Sequence, residues 1–324
     1  MSVEPRSRTG QLVAVVVIAA IVLVAIVLLM PRSQQPGATA PPAASASPEE
    51  SASTSPEASA SPSAEGSASV SPAAASELRI EASDYAFEAQ AEIPAGVTRI
   101  VVNNTGQEEH QAQIARIAEG NSFEDLTAAL QQPDPAAALS LLTLAGGPTG
   151  VVPGATVSTT SNLEPGTYAF LCFVESPDGV PHLAKGMVSQ LAVTGTAVDA
   201  PLPAGDAEVT LQDFAFVGLT TLTPGEHTVT VTNDGPQPHE ATLVKLNEGT
   251  TVEQVTQAFT STEAPSGPPP WTSAGGIAGV AAGTTAAMDI SVEAGEYAFI
   301  CFIPDPASGR PHATLGMVGG LTVQ

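Results

Sequence analysis

The sequence predicts an all-β protein: two β-sandwiches in tandem, each with one short inserted helix, behind an N-terminal transmembrane helix and a disordered linker. Three observations predict it. The chain repeats itself at a spacing of 129 residues over most of its length beyond residue 77. Segments such as "TRIVVNN" at 98–104 and "HTVTVTN" at 227–233 alternate apolar and polar residues between Pro/Gly turns, the pattern of half-buried strands. Aromatic residues make up only 4% of the 324 residues, while Gly and Pro number 29 each, a balance that favours turns and spacers over long helices.

The first element is a short tail, residues 1–11, carrying Arg6 and Arg8. It is followed by an unbroken apolar run from Leu12 to Met30. Nineteen helical residues would measure about 28 Å, close to the thickness of the hydrocarbon core of a bilayer. The arginines on its N-terminal side predict a cytoplasmic tail, a single-pass anchor in the cell membrane, and a chain exported from residue 31 onward. A cleaved signal peptide is the competing reading, because Ala38-Thr39-Ala40 resembles a cleavage site. The run is longer than the usual apolar region of a signal peptide, so the uncleaved anchor is the reading adopted. Residues 31–76 are mostly Ala, Ser, Pro and Glu, which bury too little apolar surface to offset chain entropy, and read as a disordered tether.

The repeat defines the next three elements: a domain at 77–195, a joining segment at 196–205 and a second domain at 206–324. "SDYAFEA" at 83–89 returns as "QDFAFVG" at 212–218, and "AGG" at 145–147 returns at 274–276. "GTYAFLCF" at 166–173 returns as "GEYAFICF" at 295–302. Asn104, Gly106 and His110 fall opposite Asn233, Gly235 and His239. Two copies at this period mean duplicated domains rather than a solenoid of short units. Ser122-x-x-Asp125 and Thr251-x-x-Gln254 resemble the capping boxes that open a short helix in each copy.

Charge excludes one class of partner. The chain carries a net −24, and from Glu77 onward 28 Asp or Glu face six Lys or Arg. Nucleic acid and anionic lipid surfaces are bound through clusters of Lys and Arg, so neither is expected as a partner of the folded part. A cationic protein partner is compatible with the charge, as is a merely well-solvated surface. No Ser/His/Asp arrangement and no phosphate-binding Gly loop is evident, so neither an enzyme nor a small-molecule substrate is expected.

The scarcest residues are the ones that repeat. Of five histidines, four match, His110 with His239 and His182 with His312; His227 has no counterpart and reads as a surface residue. Both cysteines match, Cys172 with Cys301, and so do Met187 and Met317. The late block is Cys-x9-His-x4-Met in the first copy and Cys-x10-His-x4-Met in the second. In an exported chain two cysteines also allow a disulfide, here between the two domains.

These motifs resemble the cupredoxin superfamily of blue copper proteins, including plastocyanin-like domains. The resemblance covers both repeats and rests on the Asn/Gly turn leading to His, the G-x-Y-x-F-x-C strand and His-x4-Met. It implies two tandem Greek-key β-sandwiches, each with one mononuclear copper. His110, Cys172 and His182 would be the equatorial ligands of one copper and Met187 its weak axial ligand; His239, Cys301, His312 and Met317 would hold the other. A thiolate and two imidazoles suit both oxidation states of copper, so the resemblance implies one-electron transfer with a redox protein partner. Copper storage or delivery would use the same ligands, and a metal-free module would use none. The Cys–His loops are longer than those of familiar members, and loop closure entropy rises only slowly with length. Multicopper oxidases and copper nitrite reductases are also tandem cupredoxins but add histidines for further copper, which a chain without a His-x-His pair lacks.

Overall fold

The computed structural model describes residues 75–324 except 133–134, 199 and 262–267. The expected tail, the transmembrane helix at 12–30 and nearly all of the linker lie outside the described residues. Among the described residues no helix is long and apolar enough to cross a membrane.

The first half contains β1 (Ser76–Ser83), β2 (Ala86–Ala89), β3 (Glu92–Asn104), β4 (Gln113–Ile117), α1 (Phe123–Ala129), α2 (Pro135–Leu139), β5 (Leu142–Leu144), β6 (Thr156–Leu163), β7 (Gly166–Leu171) and β8 (Val188–Val198). One layer pairs β2, β1, β3 and β6, with β1 and β3 parallel. The other pairs β8, β7, β4 and β5. β3 is shared: residues from Glu92 to Gly96 pair with β8 and its remainder with β6. Strand alternation turns Leu78, Ile80, Ile100 and Val102 inward against Ile114, Phe170 and Leu191, all fully buried. The back of the second layer, through Ala115, Ala169 and Leu171, is covered by Leu126 of α1.

The second half repeats this order. It contains β9 (Ala207–Gln212), β10 (Ala215–Val217), β11 (Thr221–Leu222), β12 (Gly225–Asn233), β13 (His239–Leu246), α3 (Val252–Thr260), β14 (Trp271–Val280), β15 (Thr285–Val292), β16 (Gly295–Ile300) and β17 (Val318–Val323). β10, β9, β12 and β15 form one layer, with β9 parallel to β12 as β1 is to β3. β11, β17, β16, β13 and β14 form the other. Val255 of α3 covers the outer side of that second layer beside Val244, Ala298 and Ile300. Both expected capping boxes are present: Ser122 with Asp125 opens α1, and Thr251 with Gln254 opens α3. α2, which opens on Pro135, adds a second short helix to the first half.

The halves meet along two seams. At one, β6 pairs with β15 through Thr160↔Ala287, Thr159↔Met288 and Ser158↔Asp289. At the other, isolated bridges join Ala145↔Val280 and Pro148↔Ile277. Thr159 and Met288 are 129 residues apart, and so are Pro148 and Ile277, so in each seam a residue meets its own counterpart. That is the mark of a pseudo-two-fold relation. Beside the second seam, the repeated "AGG" packs closely against its own half. A Cβ on Gly147 would strike the Ala112 carbonyl and one on Gly276 the Ala241 carbonyl, at φ values of +107° and +128° that favour glycine.

Candidate metal centre

In the first half the Asn/Gly turn after β3 delivers His110. Asn104 Nδ2 donates to the carbonyls of Glu108 and Val151, and its Oδ1 accepts from Gly106 N–H. Gly106 is required by close approach, because a Cβ there would meet Asp84 Oδ1 and lie 2.8 Å from His110 Nε2. Asn233 and Gly235 do the same for His239, with Asn233 donating to Gln237 O and Val280 O. The cysteines stand at the ends of β7 and β16. The second histidine opens a 3-10 turn, His182–Lys185 or His312–Leu315, closed by left-handed Gly186 or Gly316. Methionine follows that glycine.

The long Cys–His loops do not displace the second histidine. His182 N–H donates to Val174 O and His312 N–H to Ile303 O, each two residues past the cysteine. The intervening residues form an excursion closed by the bridges Glu175↔Pro181 and Pro304↔Pro311. Cysteine and histidine therefore meet as if the loop were short.

His110, Cys172 and His182 come together fully buried, and so do His239, Cys301 and His312. Within each group the three donor atoms lie within 4.8 Å of one another. His110 Nδ1 is 3.0 Å from His182 Nδ1, and Cys172 Sγ is 3.4 Å from His182 Nδ1 and 3.9 Å from His110 Nδ1. In the second group the Nδ1 atoms are again 3.0 Å apart and Cys301 Sγ is 3.4 Å from His312 Nδ1. A first-row metal with bonds of about 2.0 to 2.3 Å to nitrogen and sulfur fits a triangle of about this size.

Met187 and Met317 are also fully buried, each in the same apolar cluster as its cysteine. Met187 N–H donates to His182 O and Cys172 N–H to Met187 O; Met317 is tied to His312 and Cys301 in the same way. His227 is placed apart from both groups, between Asp206 and the Thr223 carbonyl. Both cysteines are free, each beside its own pair of histidines, and no disulfide joins them.

The far side of each ring determines what the near side offers. His110 Nε2 faces Asp84 Oδ1 at 3.1 Å and His182 Nε2 faces Glu108 Oε2 at 2.9 Å. His239 Nε2 faces Asp213 Oδ1 at 2.6 Å and His312 Nε2 faces Gln237 Oε1 at 3.3 Å. The Gln237 amide is oriented by donating its Nε2 to Asp213 Oδ2. All four partners are acceptors, so each Nε2 carries a hydrogen and each Nδ1 is the atom turned inward to hold a metal. Burial holds His110 and His239 below the ordinary histidine range, and His312 is pushed down to about 4 by burial and by His239. Two imidazole nitrogens aimed at each other across 3.0 Å, beside a sulfur, suit a cation held between them.

Burial pushes the Cys172 thiol up to about 12 and the Cys301 thiol well above its ordinary value, so metal binding must release a proton from each. Backbone N–H groups of Gln111 and Glu240 point at the two sulfurs, 3.5 Å away, and stabilise the thiolate form. The donor set of one thiol and two imidazoles fits copper, and a buried methionine shares each cysteine's apolar cluster.

Sequence reasoning missed the residues behind the rings: Asp84, Glu108, Asp213 and Gln237. A signal existed for two of them, because Asp84 and Asp213 are the acidic residues retained in the repeated S/Q-D-Y/F-A-F motif.

No known family profile matches the chain, and no curated protein matches it. Among solved structures it is similar to auracyanin from Roseiflexus castenholzii, at 23% identity and a TM-score of 0.25 over 36% of this chain and 95% of that one. It is similar to a copper nitrite reductase from Nitrosomonas europaea, at 14% identity and a TM-score of 0.22 over 76% of this chain and 93% of that one. A blue copper oxidase from Nitrosomonas europaea is similar at 11% identity and 0.22, over 76% and 85%. The expectation that the chain is not an enzyme is corrected by this set, which includes copper oxidases and nitrite reductases. The physical reason is that a bound metal can itself supply catalysis, so the lack of a nucleophile or phosphate-loop motif does not exclude it. What each site offers follows from its donors rather than from these scores. The chain is mostly β and carries two His/Cys/His groups suited to copper.

Proposed function

We propose that this chain is a membrane-tethered, extracytoplasmic copper protein that passes single electrons, built from two tandem cupredoxin-like domains at 77–195 and 206–324. Residues 12–30 anchor it, and residues 31–76 let the domains stand off from the membrane toward a redox protein partner. His110, Cys172, His182 and Met187 hold one copper; His239, Cys301, His312 and Met317 hold the other. Copper so held supplies one-electron redox chemistry at a site whose ligands keep their places in both oxidation states.

The observation that carries the reading is the buried convergence of two imidazole Nδ1 atoms on one cysteine sulfur, in both halves, with every outer Nε2 turned to an acceptor. The chain's residues orient the lone pairs, exclude water and hold the thiol until a metal displaces its proton. Copper titration of the full-length chain tests this. Two copper ions per chain with an intense thiolate-to-copper absorption and reversible one-electron cycling are expected. Binding without redox cycling would favour storage or delivery, and a chain that retains no copper would defeat the reading.

A further inference from the structure

The two centres use the same donors but differ behind the second histidine. His182 Nε2 donates to the Glu108 carboxylate, which also accepts from Tyr85 OH at 2.8 Å. His312 Nε2 donates to a neutral amide oxygen of Gln237, and the ring beside it is Phe214, which has no hydroxyl. Behind the first histidine the halves agree, with Asp84 on His110 and Asp213 on His239. Among the ring acceptors the difference is thus confined to one ring per centre.

A carboxylate accepting the outer N–H of an imidazole makes the inner nitrogen more basic, and its charge favours the more positive metal ion. An amide does much less of both. We infer that Glu108 and Gln237 are positioning residues that hold the two centres at different reduction potentials, the first below the second. This rests on the copper reading above. One electron given to the oxidised chain is then held at the second centre: its Cu(II) becomes Cu(I), the first stays Cu(II), and no bond or proton is needed for balance. The chain is a one-way pair rather than two equal carriers.

Three nearby groups act in the opposite sense: Lys185 at the first centre, and Glu240 and Asp305 at the second, where Asp305 lies against Gln237 and acts on His312 by its charge. Lys185 approaches Tyr85 OH at 3.1 Å, but its charge is matched by Asp178 at 2.9 Å. Glu240, beside the second centre, has its Oε1 on Phe302 N–H at 2.7 Å rather than on a ligand ring. The equivalent position in the first half is Gln111.

Electrode-poised spectroscopic titration of the full-length, copper-loaded chain tests the inference. Cys172→Ser and Cys301→Ser backgrounds allow each centre to be read alone. At any fixed potential the Cu(II)/Cu(I) ratio should be at least tenfold higher at the first centre, a separation of about 59 mV. Glu108→Gln should raise the first potential, Gln237→Glu should lower the second, and each should leave the other centre unmoved. Equal wild-type potentials, or exchanges that leave their own centre unmoved while copper is bound, overturn this inference alone. Failure of either centre to show a thiolate-to-copper band overturns the copper reading with it.

Discussion

At the first centre His182 leans on a carboxylate that is itself held by Tyr85, whereas at the second His312 leans on an amide beside Phe214. The donors facing inward are the same in both. A donor that is lost leaves a buried, half-built site, so the three inner atoms tolerate no exchange. The outer acceptor has only to accept, so carboxylate and amide both serve, and the choice between them is free to adjust what the site does. The same division appears around the sulfurs, where Gln111 in the first half stands opposite the buried Glu240 in the second while both donate a backbone N–H to sulfur.

The largest expected effect comes from removing a thiol. Cys172→Ser should abolish the thiolate-to-copper absorption of the first centre and leave the second intact, and Cys301→Ser should do the converse. With no ligand shared, the losses should add. Absorption spectra with copper counted per chain provide the measurement, and loss of both centres in either variant would break the view of two independent sites.

A smaller effect separates the halves by pH. Glu240 is pushed up to about 7 by burial, so between about pH 4.5 and 7 it is protonated in the folded metal-free chain and ionised in the unfolded one. Raising pH across that window therefore removes stability. His312, held down to about 4, is neutral when folded and protonated when unfolded below about 6.5, so raising pH from 4 to 6.5 adds stability and masks the first effect. Glu240→Gln should remove only the former. Relative to wild type the metal-free variant should gain about 3 kcal/mol between pH 4.5 and 7.5, measured by denaturant unfolding. A flat difference would show that Glu240 is solvated.

The smallest expected effect tests the seam. Gln113, buried on β4, donates its Nε2 to the carbonyls of Ile114, Gly146 and Gly279, the last from the other half. Its counterpart is Thr242, which has no such reach. Gln113→Ala should cost about 2 kcal/mol of unfolding free energy, because the amide's buried bonds are lost while each carbonyl keeps its backbone N–H donor, and should leave both reduction potentials in place. A shifted potential would mean that the seam couples the centres.

Much of the site was legible because its chemistry needs rare residues at fixed intervals. Four histidines, two cysteines and two methionines matched between repeats, and the structure brings each His/Cys/His set together. The Asn-x-Gly turn and the capping boxes were legible because each acts over a few residues of chain. Glu108 and Gln237 were not, since they differ between the repeats and matter only because a ring 74 or 75 residues further on folds against them. The behaviour of the long loops was also hidden. Length alone allowed the histidine to wander, and the bonds from His182 to Val174 and from His312 to Ile303 are what return it.

By itself the sequence determined the repeat, the strand pattern, the starts of α1 and α3, and the matching positions of His, Cys and Met. All of these are local or periodic, and a repeat exposes what is retained. Only the tertiary structure decided how the two halves meet, which acceptor stands behind each imidazole, and that Thr159 faces Met288 and Pro148 faces Ile277. Those pairings depend on backbone hydrogen bonds and close glycine contacts between segments distant in the chain. Such bonds are blind to side-chain type, so the residue string carries no mark of them until the chain has folded.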